Sequence, residues 1–146
     1  MSQDPVDALT RSVPRWFRWL VVAGLLWNVL GFVAVAMNTL GAGPPLNDAQ
    51  EAYGASVPIW AVAASWIAVG AGVAGCLLML RQQARAISAL ATSLVAILVQ
   101  DLWMFVLSDT QMVFGSMPLI MQSIVAAIAV MLLWLASHAR TKGWLN

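Results

Sequence analysis

Charge is scarce in this chain: only 9% of its 146 residues are Asp, Glu, Lys or Arg. A soluble domain carries about 25%, so most of this surface is not built to face water. Cysteine is rarer still. Cys76 stands alone, which excludes an intrachain disulfide and a cysteine-based metal site. The single His138 excludes a pair of histidine ligands for haem or metal within one chain. No apolar run contains a Lys for a Schiff base, and no Ser/His/Asp set, HExxH motif or carboxylate pair is present. The chain is therefore expected to be no enzyme and to need neither cofactor nor metal. Without a basic surface it is also expected to bind no nucleic acid.

What the chain has is apolar length. Hydrophobic residues make up 62% of it, and the mean hydropathy is +0.85. A bilayer-crossing helix needs about 20 mostly apolar residues, and four stretches supply them: 16–37, 57–80, 86–107 and 117–137. Lipid leaves no backbone group unpaired without penalty, so long unalternating runs are helices, not barrel strands. The expectation is an all-α bundle of four transmembrane helices, a single integral membrane domain over 1–146 with a loop at 38–56. Ser56-Val57-Pro58 and Ser116-Met117-Pro118 predict matching helix starts, with Ser near the N-cap and Pro in the first turn.

Orientation follows from the basic residues. Arg11, Arg15 and Arg18 stand before or in the first turn of the first span, Arg81 and Arg85 lie between the second and third, and Arg140 and Lys142 follow the fourth. These are all the Lys and Arg of the chain, and alternate crossings put them on one side. The opposite loops carry only acids, Asp48, Glu51 and Asp109. The positive-inside rule then places both termini in the cytoplasm. Ala34-Val35-Ala36 closes the first apolar run like a signal-peptide cleavage site. The run is too long for one and carries Trp27 and Asn28, so it is expected to stay as a span.

The flanks have patterns of their own. Asp4-Pro5-Val6-Asp7 predicts a short helix with Val6, Leu9 and Val13 on one face, lying on the cytoplasmic membrane surface. Trp16, Trp19, Trp134 and Trp144 fall at the cytoplasmic boundary, and Trp60 and Trp103 at the other, as interfacial belts. After the rigid Gly41-Ala42-Gly43-Pro44-Pro45 turn, Asn47-Asp48-Ala49-Gln50 predicts a capping box and a short helix towards Tyr53. That loop is the only one long enough for a lid.

An ionisable group inside a span is a functional candidate, since an Asp near the bilayer centre costs about 2.5–3.5 kcal/mol. Asp101 is the only one. Gln100 adjoins it, Gln122 is expected at similar depth on the fourth helix, and Asn28 closer to the midplane. Together they could line a small pocket for a solute or a proton, roofed by Tyr53 and Trp60. The competing reading is interhelical hydrogen bonding, worth about 0.6 kcal/mol per pair. Small residues at helical spacing predict packing faces: Ala61, Ser65, Ala68, Gly72 and Cys76 on the second helix, Gly24, Asn28 and Gly31 on the first.

Trp27-Asn28 with Gly31, Glu51-Ala52-Tyr53 with Pro58 and Trp60, Gly72 to Gly75 ending in Leu77-Leu78-Met79-Leu80-Arg81, Gln100 and Pro118 are spread over most of the chain. In these features it resembles a family of small four-helix bacterial inner-membrane proteins, largely uncharacterised and sometimes labelled sugar-transporter-like. The resemblance implies the inner membrane and some link to transport, and assigns no site residue. Two function classes stay open. One is a transport-related protein for a small solute, working as a homo-oligomer because four helices enclose little space; this reading stands slightly ahead on Asp101 and the lid-like loop. The other is an accessory or scaffold subunit of a larger membrane complex.

Overall fold

The computed structural model describes residues 13–146. The surface helix expected from Asp4 towards Val13 therefore lies, except for Val13, outside the described residues. Among the described residues six α-helices run in order: α1 (Arg15–Thr39), α2 (Asp48–Ser56), α3 (Ile59–Leu80), α4 (Ala86–Leu102), α5 (Thr110–Phe114) and α6 (Met117–Thr141). A π-helical turn, Trp103–Leu107, extends α4. No strand occurs among the described residues. Four of these helices, α1, α3, α4 with its π turn, and α6, are long and apolar enough to cross a membrane. The chain is an all-helical, multi-pass protein of four such helices.

Helix ends follow local chemistry. The capping box at α2 forms in full: Asn47 Oδ1 accepts from the Gln50 amide at 2.9 Å, and Gln50 Oε1 accepts from the Asn47 amide at 3.2 Å. The predicted serine caps differ. Pro58 is the N-cap of α3 and supplies no side-chain bond; Ser56 instead donates to the Tyr53 carbonyl at 2.7 Å, closing the last turn of α2. Ser116 sits at the N-cap of α6 with helical backbone angles, so its hydroxyl makes no capping bond there. Pro118 does occupy the first turn.

The four long helices pack in the order α1, α3, α4, α6, with α3 against α4 the most extensive interface. The small residues make that contact close. Ala61, Ala64, Ala68, Gly72, Gly75 and Cys76 are the buried face of α3. Ser65, predicted on this face, is half-buried and returns its hydroxyl to the Ala61 carbonyl at 3.0 Å. A Cβ at Gly75 would lie 2.6 Å from Leu90 of α4, and one at Gly24 of α1 2.6 Å from Leu132 of α6. In lipid such packing replaces the hydrophobic effect as the cohesive force between helices. Gly31, predicted to pack, is only half-buried and has ordinary contact distance to Val69.

Packing is uneven along the bundle. At the end bearing the Arg and Lys residues, Phe17, Val21, Cys76, Met79, Ala86, Leu90, Leu132, Leu135, Ala136, Ala139 and Leu145 form one core. Beyond Gly24, α1 has no buried residue. Burial of α1 is thus concentrated at the basic end of the bundle. The tail seals that end. A turn at Gly143, with φ 71°, ends α6, and the segment then runs along the α3–α4 connection. There the Asn146 amide donates to the Gln82 carbonyl at 2.8 Å, and the Ala84 amide to the Asn146 carbonyl at 2.7 Å. Trp144 lies edge-on to Phe17 at 5.5 Å and to Trp16 at 6.0 Å. Of the predicted belt, Trp144 is thus folded inward while Trp19 stays 73% exposed.

Candidate functional site

The four polar residues singled out in the sequence fall into two places. Asn28 lies midway along α1, facing α3. Its Nδ2 donates to the Gly24 carbonyl at 2.8 Å and approaches Cys76 Sγ at 3.8 Å. Its Oδ1 rests where a side chain on Gly72 would stand, and the same point is 3.3 Å from Ser93 Oγ of α4. Ser93 is buried and donates to the Ala68 carbonyl at 2.6 Å. Asn28, Gly72 and Ser93 line a narrow space of about 20 Å³ closed by Trp27, Ile97 and Leu132, among others.

Asp101 sits eight residues past Ser93 on α4, roughly 12 Å further towards the acidic end at 1.5 Å per residue. Its polar neighbour is the side chain of Gln122 on α6. The Asp101 Oδ1 is enclosed and has no partner among the described residues. Gln100 is half-buried, and its side chain makes no hydrogen bond among the described residues. Asn28 therefore lies apart from the Asp101–Gln122 pair, and neither Asp101 nor Gln122 lines the space beside Asn28.

The roof residues also separate. Tyr53 is held at the acidic end, its hydroxyl 2.6 Å from Thr110 Oγ1 and 3.3 Å from Ser108 Oγ, its ring edge-on to Phe114 at 5.3 Å. Ser108 and Thr110 complete a hydroxyl triangle at 2.8 Å, and Thr110 is 2% exposed. This clasp ties α2 to the turn before α5. Neither Ser108 nor Thr110 stood out in the sequence; the polar run Ser108-Asp109-Thr110 between two apolar stretches was the available signal. Trp60 lies elsewhere, edge-on to Trp103 at 6.0 Å across the α3–α4 interface. Trp103 Nε1 is enclosed without a partner among the described residues, and Trp103 opens the π turn. Such turns carry one extra residue per hydrogen-bonded ring and often occur at functional positions.

A wider depression is of another character. Trp60, Ile67, Thr92, Val95 and Val99 rim an open groove of about 540 Å³ between α3 and α4, floored by small residues such as Ala64 and Ala96. It is apolar throughout except for Thr92 and the indole of Trp60. Among the described residues, no group of three or more His, Cys, Asp or Glu comes together that could hold a metal ion. The hydroxyls of Ser65, Thr92, Ser93, Ser123 and Ser137 all donate to backbone carbonyls. Comparison with protein-family models, curated proteins and solved structures finds no match.

Proposed function

We propose that this chain is an accessory or scaffold subunit of a larger membrane complex, seated in a bacterial inner membrane with both termini cytoplasmic. One observation carries the choice over transport: the polar side chains divide into two separate groups, and the space beside Asn28, about 20 Å³, holds nothing larger than a water-sized molecule, so no sugar or other organic solute fits there. The exposed faces are apolar instead. Leu26, Leu30, Val33 and Met37 form an exposed row on α1, and small residues floor the groove between α3 and α4. Helices associate in lipid through surfaces of this kind, where small residues allow close approach. The orientation rests on the one-sided Lys and Arg, and the bacterial setting on the family resemblance.

The deciding experiment is purification of the tagged chain from its native membrane in mild detergent, with native mass spectrometry. A second protein species in fixed stoichiometry supports the subunit reading. A homo-oligomer that catalyses solute exchange in liposomes overturns it. That transport reading keeps one specific support, the enclosed and unpartnered Asp101 Oδ1 beside Gln122. A carboxyl is an expensive choice for a purely structural hydrogen bond inside a span.

A further inference from the structure

We infer that the space between Asn28 and Ser93 is a binding site for one internal water molecule, midway along the bundle. The argument starts from the Asn28 carboxamide. Its nitrogen end is committed, donating to the Gly24 carbonyl at 2.8 Å and approaching Cys76 Sγ at 3.8 Å. Reversing the amide would set its oxygen against the Gly24 carbonyl oxygen, so this bond fixes which end faces inward. Oδ1 then points across Gly72 with no donor among the described residues. In an apolar interior an amide oxygen without a donor is costly.

Ser93 Oγ flanks the same point, and its hydrogen is already given to the Ala68 carbonyl at 2.6 Å. It therefore faces the space as an acceptor too. The site presents two acceptors and no free donor. Water brings two hydrogens and satisfies both. The space of about 20 Å³ fits the roughly 10–15 Å³ one water needs, and a water with two polar partners meets the usual minimum. Hard cations such as Ca²⁺ or Mg²⁺ take about six or more oxygen ligands, carboxylates among them. Two neutral oxygens ringed by Trp27, Ile97, Ile128 and Leu132 do not provide that. The water links α1 to α4 over the bare backbone of Gly72, at the level where α1 stops burying residues.

The test uses the full chain, ¹⁵N-labelled at asparagine and reconstituted in lipid bilayers, with solid-state NMR magnetisation transfer from water. The Asn28 side-chain signal is assigned by its loss in Asn28→Leu. Transfer to Asn28 in the wild type at a rate comparable to Asn47 in the loop is the expected result. Ala129 lines the space, so Ala129→Leu, or the smaller Ala129→Val if Leu disturbs folding, should fill it and abolish the transfer. Absence of transfer from water to the Asn28 side chain in the wild type, while Asn47 shows it, overturns the site. So does wild-type transfer that survives unchanged in the filled variant, since the water would then come from elsewhere.

Discussion

The carboxamide oxygen of Asn28 on α1 occupies the position that a side chain at Gly72 on α3 would need. Glycine at 72 is thus a requirement of the α1–α3 contact. Gly70, two residues away, has nothing within 4 Å of its Cβ position and is the natural control. Gly72→Ala should destabilise the bundle by about 1–3 kcal/mol, the usual cost of overpacking, while Gly70→Ala should leave it unchanged or slightly more stable, since Ala favours helix. Thermal unfolding in detergent compares the two. Equal melting temperatures would show that α1 does not pack on α3 through Asn28.

Leu145 tests the closed basic end. It is 5% exposed within the core, although it lies past the end of α6, where backbone bonds at Gln82 and Ala84 and the packing of Trp144 on Phe17 hold the tail in place. Leu145→Ala should cost about 2 kcal/mol or more, as buried Leu→Ala changes do. Leu80→Ala, at a 37% exposed position, should cost much less. If both lower the unfolding temperature alike, the tail does not dock on the α3–α4 connection.

The four long apolar helices were legible because their signal is length and composition, which no tertiary contact alters. The capping box at Asn47 was legible because it is a local pattern of side chain and backbone. What the sequence hid is rotational and tertiary. Asn28 and Asp101 were both visible as polar breaks in apolar runs, yet their separation depends on depth along α4, which a shared helix face does not report. Tyr53 was visible as a loop aromatic, but its partners Ser108 and Thr110 lie more than fifty positions away. The π turn carries no mark at all, since Trp-Met-Phe-Val-Leu reads as ordinary span.

Tyr53→Phe follows from that clasp. Removing the hydroxyl deletes the 2.6 Å bond to Thr110 and leaves that buried side chain with Ser108 alone. The loss should be about 1 kcal/mol, felt mainly as faster amide exchange over Asp48–Ser56, with the long helices unaffected. Hydrogen exchange by mass spectrometry reads it directly. Unchanged protection of α2 would mean that the ring packing on Phe114 holds the loop by itself.

Topology is decided by the Lys and Arg. Reporter fusions should place Asp48 outside and the Arg81–Arg85 turn inside, as the one-sided distribution of basic residues requires. A cytoplasmic signal from a fusion at Asp48 would invert the orientation or remove a span.

Asp101 separates the two functional readings. Its carboxyl faces Gln122 across the α4–α6 interface, with Oδ1 enclosed and unpartnered, and no described span carries a Lys or Arg at its depth to serve as counter-ion. Asp101→Asn keeps the size and a hydrogen bond to Gln122 but removes the proton that a carrier would exchange. The variant should therefore fold and insert like the wild type on either reading. For a scaffold subunit it should also be recovered with the same partners in the same stoichiometry and support the wild-type phenotype at every pH tested, because assembly draws on helix faces and not on titration. Asp101→Leu, which removes the hydrogen bond as well, should then weaken the bundle by only about 0.6 kcal/mol, the average for an interhelical bond in lipid. Normal insertion of the Asn variant with loss of a pH-dependent phenotype would overturn the subunit reading and make Asp101 the proton-carrying group of a transport protein.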